Sequence, residues 1–440
     1  MAPKGIRTEM AGKKKTVNKS TMMPNSSNQE NTTPAETTSQ MSTAGKATES
    51  RKRAQDADST SEPQRKTMKK IELVILPSPT GDAENKEELD YGNGGYYPVK
   101  NSQVLNKRYE VQKMLGNGHF ATVHMAEDRM TESTVAVKIA KSDRRYAKPS
   151  EMEIKFMERI KEVTKSNSSS TGSKNIVKLL DDFRIKGKEG IHVVMVFEVL
   201  CMDLDRLLFE SNQQVLTLDR IRRFSKNILE GLHFLHTKCK IMHLDIKPEN
   251  CLVKIDPHNM DLSDPSCTAI LKIGDFGTSA WITDNIKGKA QTCHYRAPEA
   301  FLEANVRPLV DVWSVGCVLY EMITRDLLFL CNKEGGDCKK QLHFGYISEV
   351  LGPIKQRFFK MDERNSVFFD EVFGKDKIFV KEFAEPNPIS PDELMKKYTM
   401  KMSEADELCG FMRELMVINP NQRLSAKEAL KHPFLNYDCS

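Results

Sequence analysis

Cysteine is absent from the first 200 residues; all 10 lie between Cys201 and Cys439. No CxxC pair and no Cys/His cluster of zinc spacing occurs, so nothing points to a structural zinc site. Long apolar runs are missing too. None exceeds VVMVF at 193–197, far too short to span a bilayer. The opening MAPKGIRTEM lacks the apolar core of a signal peptide. These absences predict a soluble protein of a reducing compartment, with free and mostly buried thiols and no membrane partner. A basic fold is also missing. The formal net charge is +5, but residues 1–70 hold 14 Lys or Arg against 7 Asp or Glu, leaving 52 against 54 in the other 370. The basic excess belongs to the tail, and no direct nucleic-acid binding is expected of the folded part.

What is present divides the chain. Residues 1–70 are rich in Ser, Thr, Asn, Lys and Met, carry no Phe, Trp or Tyr, and show neither strand nor helix periodicity; they read as a disordered tail. Two basic clusters stand in it, RKR at 51–53 and RKTMKK at 65–70. Eleven residues separate them, the spacing of a two-part nuclear import signal, so nucleus and cytoplasm are the expected locations. Residues 71–108 read as linker and N-terminal extension, 109–435 as the folded domain and 436–440 as a short end. From Arg108 the stretch YEVQKMLGNGHFATVHMAEDRMTESTVAVKIAK alternates like an antiparallel meander. Ile154, Met157 and Ile160 in EMEIKFMERIKEV predict an amphipathic helix. VKLLDDFRI and IHVVMVFEVL read as two more strands, and after Leu204 the pattern turns helical. The prediction is an α+β, bilobal fold: a small antiparallel sheet lobe with one helix, then a larger, mainly helical lobe.

Five motifs carry chemistry. In LGNGHFATV, Gly116 and Gly118 let backbone N–H groups approach phosphates, with Ala121 where a third glycine would stand. Alone this could be a hairpin turn; its place before a second strand argues against a Rossmann turn, which would open a helix. In VAVKIA, Lys138 lies within an apolar strand and needs a partner, expected to be Glu153; an edge-strand surface Lys is the bland alternative. In HLDIKPEN, Asp245 would take or orient a substrate hydroxyl proton, Lys247 would approach the γ-phosphate and Asn250 would bind metal. Asp275 of DFG would hold Mg²⁺ across the β- and γ-phosphates of ATP. APE at 297–299 closes the segment between. Asp311 and Arg423 read as large-lobe anchors, Arg423 paired with Glu299 for structure only. Each motif is ambiguous alone, but their order and spacing together identify a eukaryotic protein-kinase domain over about 109–435.

A narrower likeness rests on DYGNGGYYPV, LGNGHFATVHMAED, GIHVVMVFEVL and LHTKCKIMHLDIKPEN. These blocks resemble the SR-protein kinases, CMGC-group enzymes that phosphorylate serines in arginine/serine-rich proteins such as splicing factors. The resemblance implies Phe197 as gatekeeper, Glu198 to Leu200 as the adenine-binding hinge, and Leu115, Val123, Ala136 and Leu252 as apolar walls. It also implies a docking groove for basic peptides at Asp326, Glu349 and Lys397. Departures accompany it. The family's long spacer is reduced to DPHNMDLSDPSCT, and DFG and APE are closer to CDC2-like and DYRK kinases. Cys293 replaces an arginine near the pocket for the following residue, and Leu342 replaces an acidic docking residue.

Where kinases usually carry His-Arg-Asp, this chain has His243-Leu244-Asp245. An inward Arg there needs an activation-loop phosphate to compensate its charge. Leu244 has no charge to compensate, so the loop is expected to be ordered by packing and the enzyme to be constitutively active. Two rivals stand beside this reading. One is a pseudokinase scaffold, which the intact catalytic set argues against; the other is a dual-specificity DYRK-type kinase.

Overall fold

The computed structural model describes residues 89–436 apart from 167–170, 189, 211–215, 257–258, 260, 263, 265, 287–289, 305, 331–332, 335–336, 339, 360–377, 380–390 and 399. All belong to the unit Met68–Ser440. The tail, both basic clusters and residues 71–88 and 437–440 lie outside the described residues.

The small lobe is a six-stranded antiparallel sheet of β1 (Val104–Leu105), β2 (Tyr109–Asn117), β3 (Ala121–Asp128), β4 (Ser133–Ala140), β5 (Leu179–Lys186) and β6 (Ile191–Glu198). The spatial order is β1-β2-β3-β4-β6-β5. Alternation along β4 sets its two faces. Val135, Val137 and Ile139 enter one core with Tyr109, Val111, Val194 and Val196, while Ala136, Lys138 and Ala140 point the other way. Helix α1 (Arg144–Ser166) buries Glu153, Ile154, Phe156, Met157, Ile160 and Val163, a stripe at helical spacing.

The large lobe is mainly helical, with β7 (Met202–Asp203), α2 (Leu204–Glu210), α3 (Leu218–Phe234), β8 (Ile241–Met242), β9 (Cys251–Lys254), β10 (Ile270–Ile273), β11 (Ala280–Trp281), α4 (Pro298–Phe301), α5 (Leu309–Thr324), α6 (Lys340–Leu351), α7 (Pro391–Lys397), α8 (Met402–Leu415) and α9 (Ala426–Ala429). Thr217 caps α3 by accepting from the Arg220 N–H at 3.3 Å. Helix α5 is buried nearly all round, including Asp311, Trp313 and Ser314, as befits the centre of a lobe. β10-β9-β7 and β11-β8 form two small sheets on the side that carries the chemistry-bearing loops. Seven described cysteines are free thiols, six of them buried. No described helix is long and apolar enough to cross a membrane.

Candidate active site

Lys138 sits in mid-sheet, opposite Val123 on β3 and Met195 on β6. The meander places it on the face turned from the Val135–Ile139 core, toward α1. That helix supplies Glu153 from its own buried stripe. Lys138 Nζ lies 2.9 Å from Glu153 Oε2 and 3.1 Å from Asp275 Oδ1. Burial opposes the charge on Lys138, but the two carboxylates outweigh it and raise its pKa. Burial raises the pKa of Glu153 despite the ammonium, while the Lys138 charge holds Asp275 below the usual carboxylate range. The Asp275 side chain stays 49% exposed, against 3% for Glu153. One oxygen of Asp275 meets Lys138, and the group remains open to a further cation.

The stretch His243–Asn250 hangs from α5. Asp311 is fully buried and accepts the His243 N–H at 2.9 Å and the Leu244 N–H at 2.8 Å, with His236 Nε2 at 2.8 Å. These bonds hold Leu244 at φ +64°, a left-handed conformation that costs a non-glycine residue about 1–2 kcal/mol. The Leu244 side chain is 3% exposed and part of the large-lobe core, where an arginine would need a partner. His243 Nε2 lies 2.9 Å from the Gly274 carbonyl and its ring meets buried Phe276 edge-on at 5.0 Å, tying the loop to DFG.

Asp245 is held at both oxygens. Thr292 donates its hydroxyl to Oδ1 at 2.6 Å and its N–H at 3.2 Å. Asn250 Nδ2 donates to Oδ2 at 3.1 Å and to the Asp245 carbonyl at 2.8 Å, and Lys247 Nζ lies 3.2 Å from Oδ2. A carboxylate so fixed beside a cleft can receive a hydroxyl proton. Thr292 is a site residue that sequence reasoning missed.

One cleft gathers these groups. Gly118, Val123, Lys138, Glu153, Asp245, Lys247, Asn250 and Asp275 all face it. An adjoining recess is walled by Val123, Ala136, Phe197, Glu198, Leu200, Leu252 and Val177. Leu115 lies behind these walls, 2% exposed, in one cluster with Ala136, Val177 and Leu200; Gly116 stands on β2 opposite Val123. Val177 was not anticipated as a wall: as the first residue of VKLLDDF it carries no signal for the cleft. Glu198 is tied to buried Lys272 and to Lys254, which fixes the end of β6 against β10 and β9. An apolar slot beside convergent charges fits a nucleotide base next to its phosphates. Gly118 supports that fit: an added Cβ would meet nothing within 4 Å.

The three residues expected to dock substrate lie elsewhere on the large lobe. Asp326 is exposed just past α5. Lys397 on α7 donates to the Thr324 carbonyl at 3.3 Å, and burial, then Arg325, lower its pKa while Asp326 opposes them. Glu349 is half-buried on α6, the helix that also carries Leu342. At the foot of the lobe, Arg423 and Glu299 form a two-pronged ion pair at 2.6 and 3.0 Å, both nearly fully buried.

The protein kinase domain family matches residues 109–435. Serine/threonine-protein kinase SRPK of Physarum polycephalum is 32% identical over 400 residues, covering 80% of this chain and 92% of the relative. SRSF protein kinase 3 of Sus scrofa is 25% identical over 522 residues, covering 81% and 91%. Dual specificity tyrosine-phosphorylation-regulated kinase 3 of Rattus norvegicus is 27% identical over 392 residues, covering 83% and 62%. Sheet lobe, helical lobe and matched relatives agree, and the chain belongs to the protein kinases, within them to the serine/threonine kinases of the SR-protein kinase family.

Proposed function

We propose that the chain phosphorylates serines in arginine/serine-rich proteins, splicing factors among them, using MgATP, and that it does so without prior phosphorylation of its own loop. The observation that carries the proposal is the single cleft that joins the Lys138–Glu153–Asp275 triad to the Asp245–Thr292–Lys247–Asn250 cluster. A protein kinase domain works with ATP and a divalent metal; Asn250 and Asp275 are the residues that would hold Mg²⁺, which when bound neutralises the phosphate oxygens. Lys138, kept charged by its two carboxylates, would bind phosphate oxygens, and Glu153 would keep it aimed. Asp245 would take the serine hydroxyl proton, its orientation fixed by Thr292 and Asn250. Lys247 would stabilise charge on the transferring group. Glu198 to Leu200 would hold adenine by backbone groups, between Val123, Ala136 and Leu252.

Self-sufficiency draws support from Leu244, whose apolar side chain lies in the core and asks for no phosphate, and from neutral anchors of the activation segment. Gln291 reaches Ser314 Oγ at 2.7 Å and the Val310 carbonyl at 2.9 Å, and accepts from the Ala297 N–H at 3.0 Å. Phosphatase-treated protein should keep its activity; loss of most of it would end this part of the proposal. For substrate, Asp326 and Glu349 offer acidic groups to arginine-rich chains, while Lys397 beside Asp326 limits their pull. We assign the protein to nucleus and cytoplasm, with entry through the tail. The direct test incubates the purified chain and its Asp245→Asn variant with MgATP and an arginine–serine repeat peptide. Serine phosphorylation by the first and a fall of about 10²–10⁴-fold in the second are expected; equal rates would overturn the assignment of Asp245.

A further inference from the structure

The segment DYGNGGYYPV precedes the matched kinase domain, yet it is built into the small lobe. Gly95 and Gly94 accept the N–H groups of Ser142 and Asp143 through their carbonyls, both at 3.1 Å. This docks the segment on the link between β4 and α1. Only glycine fits there. Gly94 has φ +79°, and a Cβ on Gly95 would fall 2.1 Å from the Asp90 carbonyl oxygen.

The next residue, Tyr96, is 8% exposed and reaches the glycine-rich turn: its hydroxyl donates to the Gly118 carbonyl at 2.9 Å. The turn has two further holds. The Lys141 N–H donates to the Phe120 carbonyl at 3.0 Å, and the His119 and Phe120 rings each meet Tyr146, near the start of α1, at 5.7 Å. Lys141 Nζ stands over the Tyr96 ring at 4.2 Å and the Tyr146 ring at 5.3 Å, binding extension, sheet and helix into one unit. Within the turn, the Gly118 N–H donates to the Ala121 carbonyl, and the Gly118 carbonyl accepts from Tyr96 and from no other described group.

We propose that Tyr96 is a positioning residue for the phosphate-binding turn: its hydroxyl sets the height of Gly118 over the cleft, and the extension is a working part of the nucleotide site. The inference rests on reading the cleft as that site. At Gly118 itself an added Cβ would meet nothing within 4 Å, so no side-chain packing holds that residue and a bond to its carbonyl selects among its positions.

The test is Tyr96→Phe, which keeps the ring, the burial and the contact with Lys141 and removes only the hydroxyl. Tyr97→Phe is the control. The Tyr97 hydroxyl accepts from Gln103 Nε2 at 3.1 Å and its ring meets His192, away from the turn. Amide exchange across residues 116–122 in nucleotide-free protein should be several-fold faster in Tyr96→Phe and unchanged in Tyr97→Phe. KM for ATP should rise about two- to tenfold in Tyr96→Phe, as for one lost neutral hydrogen bond, with KM for the peptide unchanged. Exchange and KM at control values in Tyr96→Phe, or equal changes in both variants, would overturn the inference. An inactive wild-type protein would instead refute the kinase reading, leaving the exchange comparison to judge the brace alone.

Discussion

Replacing Lys138 by Met separates charge from shape. The variant keeps a long side chain of similar volume and removes the ammonium from between Glu153 and Asp275. Asp275, 49% exposed, can be hydrated where it stands; Glu153, 3% exposed, cannot. An ionised carboxylate left buried without its partner costs about 3–5 kcal/mol. Protonation offers a way out, because burial already raises the Glu153 pKa with Lys138 in place and must raise it further without. A carboxylate with a raised pKa binds its proton more tightly in the folded chain. Its stability contribution is therefore present below the ordinary Glu range and is lost as pH rises through the raised value. Lys138→Met should melt close to wild type at pH 5 and about 3 kcal/mol below it at pH 8. For a domain of this size that is about 5 °C by calorimetry. Phosphoryl transfer should fall at least about 100-fold at every pH, as for the loss of one charged donor at the transferring group. A melting deficit independent of pH would refute the buried-carboxylate argument, and undiminished turnover would refute the role given to Lys138.

Thr292→Val removes the 2.6 Å bond to Asp245 Oδ1 but leaves the backbone N–H at 3.2 Å; kcat should fall about tenfold with KM for ATP unchanged, read by steady-state kinetics. Arg423→Met strands Glu299 and should destabilise the chain by about 3–5 kcal/mol in denaturant melts, an effect softened by adding Glu299→Gln. Asp326→Ala with Glu349→Ala should raise KM for a long arginine–serine substrate several-fold, leave kcat nearly alone, and matter less at high salt. Deleting residues 1–70 should shift a tagged protein toward the cytoplasm with turnover unchanged, as imaging and a kinase assay would report.

The features legible in the sequence are those with a local period or a fixed order. Alternation exposed β2 to β6 because each strand has one face on a core, and the order of Lys138, Glu153, Asp245, Asn250 and Asp275 was readable because the chemistry needs all of them. The start of α1 was hidden: the helix begins at Arg144, but Pro149 in its second turn breaks the helical pattern. The two-residue β1 and the docked Gly94–Tyr96 segment carry no period at all. Thr292 was invisible because its partner is 47 residues away and a lone Thr has no signature. At Leu244 the lost charge was readable, whereas the left-handed backbone was not, being imposed by Asp311 from α5.

The central claim is that this cleft phosphorylates serines flanked by arginine. A peptide library varied around a fixed serine, phosphorylated by the purified full chain with MgATP, tests it most directly. The account predicts strong selection for arginine flanking the serine, phosphate on serine rather than tyrosine, and loss of all signal in Asp245→Asn. Selection for proline after the serine with no gain from arginine would contradict it.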